Sequence, residues 1–362
     1  MGERYPRLEV NLAHLKHNVS KIVEKCDAAG IQVAGVIKGA TGLTEVAKAF
    51  DEGGAAFLAS SRLEQLEDAR NVGIQKPLML IRIPMLSEAE DVVRLTDISL
   101  NSELTVIRKL NEEAARRNKL HKIILMADMG DLREGFWDKE EMADVAVYIE
   151  NELPNIQLIG IGTNVGCYGS IAPTVEKLEE LVAVAEHIEE RLGRKLEYIS
   201  GGATSSLMRV WDGNMPQRIN LLRIGEGILL ARDLDVFYGY DMSELYQDNF
   251  RLKAEVIEVK TKPSHPVGTI AIDAFGHTPT YVDRGMRKRA LLAIGKVDYA
   301  DPAELLPLEK GIEILGASSD HTIVDIEEAE KDYQVGDIME FDICYATLVF
   351  LTNCRNVRIA YV

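Results

Sequence analysis

The chain has 362 residues, 46% of them hydrophobic and 27% charged, with a formal net charge of −17. That length accommodates two domains and a sizeable core, and the acidic balance runs against nucleic-acid binding, which needs a basic footprint. No apolar run reaches the roughly 18 residues of a membrane span, the start Met1-Gly2-Glu3-Arg4-Tyr5-Pro6 has no apolar signal core, and Cys26, Cys167, Cys344 and Cys354 form no CxxC pair, so we expect a cytoplasmic protein with neither a disulfide scaffold nor a metal site.

The first two thirds alternate short apolar runs with helical patterns. In chain order the runs are Val33–Ile37, Ala55–Ala59, Pro77–Ile81, Asp97–Leu100, Lys122–Met126, Ile156–Ile161, Tyr198–Ser200 and Leu221–Ile224. Near-continuous apolar character is what a parallel strand covered on both faces requires. Between them, Val175–Leu192 places Val175, Leu178, Leu181, Val182, Ala185, Ile188 and Leu192 on one stripe before Gly193, and Ser102–Ala115 is helical by pattern with Asn101 or Ser102 as its cap. Eight strand–helix alternations predict an α/β fold with an N-terminal (β/α)8 barrel over residues 10–232, an open doubly wound sheet being the alternative.

Residues 232–250 read as a linker with local structure. Beyond it come strand-like runs at Leu252–Val259, Gly268–Ile272, Arg289–Val297, Ile312–Leu315, Thr322–Ile326, Asp337–Ile343 and Val357–Tyr361, separated by turn signals such as Lys262-Pro263-Ser264-His265-Pro266. They predict a mostly antiparallel C-terminal β domain over 240–362, joined by the N-terminal segment 1–9.

A barrel of this kind carries its site at the C-terminal ends of the strands. Lys38 follows the first run there. It could be a lysine that snorkels or pairs with a carboxylate. It could also be a Schiff-base lysine, since desolvation frees its amine to attack a carbonyl. After the fifth run comes Asp128-Met129-Gly130-Asp131-Leu132-Arg133-Glu134-Gly135, after the sixth Gly162-Thr163-Asn164, after the seventh Gly201-Gly202-Ala203-Thr204-Ser205, and at the eighth Arg223-Ile224-Gly225-Glu226-Gly227. Glycines and hydroxyls after strands seven and eight either form plain small-residue loops or offer N–H and O–H donors to a phosphate.

With these phrases the chain resembles the alanine racemase family of pyridoxal-phosphate (PLP) enzymes along nearly its whole length, and within it the alanine/ornithine racemase branch. Asp273-Ala274-Phe275-Gly276 and Ile314-Leu315-Gly316-Ala317-Ser318-Ser319-Asp320-His321 add to the match. The resemblance implies pyridoxal 5′-phosphate held by Lys38. It implies Arg133 at the cofactor's phenolic oxygen and near the substrate carboxylate, and Asn164 beside the pyridine ring. Thr204, Ser205, Gly225, Glu226 and Tyr345 would contact the phosphate, and Arg223 would face the pyridine nitrogen. Asp320 would bind substrate from the partner subunit of a head-to-tail homodimer. An arginine at that nitrogen keeps its proton, which favours quick reprotonation at Cα and suits racemisation.

Three departures from the pattern weigh against alanine as the substrate. Gly42 and Leu43 stand where the family carries a phosphate-binding tyrosine, Met126 where it carries a carbamylated lysine, and Lys296 where its second base is a tyrosine. The expectation is therefore a racemase of ornithine or a similar basic amino acid, with Lys38 and Lys296 as the two bases, Tyr299 as an alternative to Lys296, and strand alternation placing Lys296 with Asp298. Asp273, Asp298, Asp320 and Glu134 are the carboxylates on offer to a basic side chain. A PLP-dependent lyase (aldolase, dehydratase or decarboxylase) and a non-catalytic PLP-binding protein are the competing readings. No His–Cys ligand pair stands out for the metal that some such lyases use.

Overall fold

The computed structural model describes residues 4–362. Its strands, in chain order, are β1 (Arg7–Val10), β2 (Gln32–Val36), β3 (Phe57–Ser60), β4 (Leu78–Leu80), β5 (Ile98–Asn101), β6 (His121–Met126), β7 (Ile156–Gly162), β8 (Tyr198–Ser200) and β9 (Leu221–Ile224). These are followed by β10 (Phe250–Pro263), β11 (Met286–Leu292), β12 (Leu305–Pro307), β13 (Glu313–Ala317), β14 (Thr322–Asp325), β15 (Ile338–Ile343) and β16 (Arg358–Tyr361). The chain divides into two compact units, one of residues 13–246 and one in which the segment up to Leu12 joins Gln247–Val362.

In the first unit β2 to β9 close a parallel barrel, each of the eight apolar runs supplying one strand. Closure comes from β2 pairing with β9, with Ala34 opposite Arg223 and Gly35 opposite Ile224. Alternate residues turn inward. Ala34, Val36, Phe57, Ala59, Met79, Leu100, Ile124, Met126 and Leu221 belong to one buried apolar cluster, so the barrel is a packed core rather than a pore. The neighbouring positions are buried as well, under helices, which explains why the strands read as unbroken apolar runs.

Local chemistry sets the helix ends. Helix Val175–Leu192 starts where the Thr174 side chain accepts from the Lys177 N–H at 3.2 Å, and Gly193 caps its other end. Helix Leu104–Arg116 starts later than the pattern suggested and has no side-chain cap. Asn101 instead donates to the Ser99 carbonyl (3.0 Å) and to Ser99 Oγ (2.9 Å), and Ser99 Oγ meets His121 Nε2 at 2.9 Å. This buried polar trio ties β5 to β6. The segment expected as a linker contributes helix Asp233–Tyr238 to the barrel unit. Among the described residues no helix is long and apolar enough to cross a membrane.

The second unit is a β domain, antiparallel except where β1 pairs in parallel with β16. Its long strand β10 serves two partners: Leu252–Glu255 pairs with β15, and beyond an irregularity at Val256/Glu258 the strand pairs with β11. Phe250, Leu252, Ala254 and Val256 face the core in strict alternation. Three expectations are corrected here. Residues 268–272 form no strand; β12 is an extra short strand; and the run expected to continue to Val297 stops at Leu292, after which Lys296–Tyr299 turns as a short helix. In that turn Asp298 and Tyr299 are buried and Val297 is exposed, so strand alternation does not apply to Lys296.

Candidate active site

Lys38 lies two residues beyond β2. Backbone bonds from Ala40 and Gly42 to the Ile37 carbonyl (3.2 and 3.1 Å) and from Thr41 to the Lys38 carbonyl (3.0 Å) turn the chain aside at once. The side chain is therefore delivered at the C-terminal end of the barrel, half-buried. Burial pulls the amine below its ordinary proton affinity, with the Arg133 and Arg223 guanidiniums adding to the effect and Cys167 and Glu134 opposing it. A lysine amine so placed is suited to attack a carbonyl.

Arg223 points from β9 into the same end. It is buried, with one terminal nitrogen donating to the Thr163 carbonyl at 2.7 Å and the other to Ser200 Oγ. Burial pushes its pKa down to about 10, Glu134 opposing and Arg133 adding, which still leaves it charged at neutral pH. Asn164 follows Thr163 on the loop after β7. The amide nitrogen of Asn164 and the hydroxyl of Thr163 are both buried without a hydrogen-bond partner, which is costly unless a ligand completes them.

The loops after β7, β8 and β9 are laced together. Thr204 Oγ1 accepts from the Gly227 N–H at 3.1 Å, and Ser205 Oγ donates to the Val165 carbonyl at 3.0 Å. Gly225 sits at the turn between β9 and the helix Glu226–Leu229. The Glu226 carboxylate accepts from the Arg232 and Asp233 N–H groups, both at 3.1 Å, so its side chain braces the chain leaving the barrel. Burial and then the Asp233 carboxylate raise its pKa to about 7. A carboxylate repels an anionic ligand, so it is the backbone of Glu226 that suits one.

Arg133 stands on the loop after β6, its guanidinium paired with the neighbouring Glu134 and donating to Cys167 Sγ at 2.9 Å. Arg133 is recognisable from the sequence, whereas this use of Glu134 and the approach of Cys167 are not. The available signal was position alone, since Gly166-Cys167-Tyr168-Gly169 follows the sixth apolar run.

Lys296, Asp320 and Tyr345 belong to the β domain. Lys296 Nζ lies 4.0 Å from the centre of the Phe275 ring. The turn Ser318–His321 docks against it, its Ser318 and Ser319 carbonyls accepting from the Lys296 and Val297 N–H groups at 3.0 and 3.1 Å. Gly295 permits this approach, because a Cβ there would lie 2.2 Å from the Ser319 carbonyl oxygen. The exposed Asp320 is thereby brought to the neighbourhood of Lys296. Tyr345 opens helix Tyr345–Asn353.

Tyr299 is fully buried. Its hydroxyl meets Thr322 Oγ1 at 2.6 Å, and burial pushes its pKa up to about 12. Asp298 is also spent, accepting from the Gly295 N–H (3.0 Å), Cys354 Sγ (3.1 Å) and Asn356 Nδ2 (3.2 Å). Asp273 accepts from the Phe275 and His277 N–H groups at 2.9 and 2.8 Å.

Residues 10–233 match the family model described as alanine racemase, N-terminal domain. The chain is 40% identical over 345 residues to the ornithine racemase of Acetoanaerobium sticklandii, covering 95% of this chain and 96% of that one. It is also 40% identical over 345 residues to the lysine racemase of Thermotoga maritima, covering 95% of each. The crystal structure of alanine racemase from Bartonella henselae with covalently bound pyridoxal phosphate superposes with a TM-score of 0.76 at 16% identity, covering 99% of this chain and all of that one.

Proposed function

The chain belongs to the alanine racemase family and is thus a pyridoxal-phosphate-dependent amino-acid racemase, and we propose that it interconverts the enantiomers of ornithine or a similar basic amino acid in preference to alanine. The observation that carries this is the 40% identity, over nearly the full chain, to racemases of ornithine and lysine. The departures at Met126 and Lys296 support it.

The residues at the barrel mouth fit the cofactor. One desolvated lysine amine, two guanidiniums, hydroxyls on the loop after β8 and two unpartnered buried polar atoms match the needs of an anionic aromatic carbonyl compound. In this reading Lys38 holds it covalently. Thr204, Ser205 and the backbone of Gly225 and Glu226 take its phosphate, Arg223 and Asn164 flank its ring, and Arg133 lies at its oxygen substituent. When bound, the cofactor supplies an electron sink that acidifies the substrate's Cα–H bond.

The chain's own part is to move that proton. Lys38 Nζ removes it on one face, for which an uncharged amine is required and which burial beside two guanidiniums favours, and the ammonium so formed can return it. We assign the opposite face to Lys296 Nζ. Tyr299 is a poor rival, because its hydroxyl is buried and hydrogen-bonded to Thr322. Two lysine bases and a basic substrate make carboxylates necessary. Asp298, Asp273 and Glu134 already accept hydrogen bonds within the chain, which favours Asp320 for the substrate's side-chain ammonium. In the proposed homodimer, Lys296, Asp320 and Tyr345 of one copy serve the other copy's barrel, and the enzyme is cytoplasmic.

Loss of optical rotation across a panel of L-amino acids tests the substrate. Ornithine and lysine should turn over faster than alanine, and faster turnover of alanine overturns the preference.

A further inference from the structure

The loop that carries Arg133 holds its guanidinium through a contact with the next residue. Arg133 and Glu134 are neighbours in the loop and form a two-point fork: Nε donates to one carboxylate oxygen and Nη2 to the other. Unusual backbone flanks them on either side. Leu132 adopts φ +57°, a left-handed conformation that branched residues avoid. Gly135 adopts φ +129°, where a Cβ would lie 2.4 Å from the Asp128 nitrogen. The loop is held in this shape at both ends, by Phe136 N–H to the Met126 carbonyl (2.8 Å) and Asp128 N–H to the Phe136 carbonyl (3.0 Å). Inside it, the Asp128 carboxylate accepts from the Gly130 and Leu132 N–H groups at 2.8 and 3.1 Å.

A second stop lies across the mouth, where Arg133 Nη1 donates to Cys167 Sγ at 2.9 Å. That cysteine is delivered by Asp131, whose carboxylate accepts from the Cys167, Tyr168 and Ile171 N–H groups at 3.3, 3.0 and 3.4 Å. Three N–H groups of Arg133 are thus engaged. A guanidinium has five, so two are left, the number a carboxylate takes in a paired contact. Glu134 is also the carboxylate whose charge reaches Lys38 and Arg223 as well as Arg133.

We propose that Glu134 is a positioning residue, which with Cys167 fixes the Arg133 guanidinium so that its two remaining N–H groups receive the α-carboxylate of the substrate. The proposal rests on the racemase reading, in which Arg133 meets that carboxylate. It predicts a defect independent of the substrate's side chain, because every amino acid carries the same α-carboxylate.

The test uses the cofactor-loaded enzyme and the variants Glu134→Gln, Glu134→Asp, Cys167→Ala and Arg133→Lys, each checked for folding by thermal unfolding. Glu134→Gln should raise KM about tenfold or more for ornithine and for alanine alike, with a smaller change in kcat. Equilibrium binding of pentanoate, a carboxylate with no amino group, should weaken by a similar factor. Glu134→Asp should recover part of the loss, and Cys167→Ala should reproduce a weaker form of it, which keeps the idea testable if Glu134→Gln does not fold. A KM defect confined to ornithine overturns the proposal, because Glu134 would then be pairing the side-chain ammonium. So does pentanoate binding unchanged in Glu134→Gln while Arg133→Lys weakens it. If Arg133→Lys alters neither KM nor pentanoate binding, the reading of Arg133 itself fails.

Discussion

At the scale of single residues, the proposed chemistry divides between two lysines in different settings. Lys38 is half-buried among guanidiniums, and Lys296 rests on the face of Phe275 beside the turn that carries Asp320. A racemase needs a proton donor or acceptor on each face of the substrate, and the assignment of one lysine to each face can be checked with isotope. In deuterium oxide, Lys296→Ala should lose nearly all racemisation yet still exchange the Cα proton of one enantiomer through Lys38, whereas Lys38→Ala should lose exchange of both and fail to retain the cofactor on dialysis. Near-normal racemisation by Lys296→Ala would remove Lys296 from the mechanism. Lys38 was legible because a lysine ending an apolar strand is conspicuous. That Lys296 rather than Tyr299 stays accessible was not legible, because both follow Gly295 within four residues and only the fold of the turn buries one of them.

At the scale of elements, the link between β5 and β6 makes an acid-sensitive joint. His121 is buried against Ser99 Oγ, and burial, with Lys119 adding, drops its pKa to about 3. The folded protein therefore holds it neutral, while the unfolded chain takes up a proton near the ordinary histidine value of 6.5. A folded pKa below the unfolded one means stability that is complete above pH 6.5 and is lost as pH falls toward 3. The contribution should decline by about 1.4 kcal/mol per pH unit within that window. Urea unfolding at pH 7.0 and 5.5 should show this loss, and His121→Gln should flatten the slope over the same range. An unchanged slope in that variant would place the acid sensitivity elsewhere. Asn101 does not cap helix Leu104–Arg116 because it is the last residue of β5, and the helix begins only at Leu104, with Glu103 at the capping position.

At the scale of the whole molecule, the proposed assembly makes catalysis depend on a second copy, since Lys296 and Asp320 would be contributed across a dimer. Sedimentation at assay concentration should show a dimer, and specific activity should fall on dilution below its dissociation constant. A fully active monomer would contradict the arrangement. The barrel itself was readable in the chain, each of the eight apolar runs becoming a strand, because parallel strands covered on both faces must be apolar throughout and the residue that breaks the run marks the mouth. The β domain was readable only in outline. The run through Val297 broke into a helical turn where the Ser318–His321 turn docks on Gly295, and residues 268–272, though apolar enough for a strand, pair with none. What the sequence determined by itself was the order of strands and helices in the barrel and the position of Lys38, both consequences of local periodicity and burial. The tertiary structure alone decided that Arg133 is gripped by Glu134 and by Cys167, 34 residues away, and that Tyr299 is sealed by Thr322, 23 residues away. Such contacts follow from which loops a closed barrel or a docked hairpin brings together, and no local pattern encodes that distance.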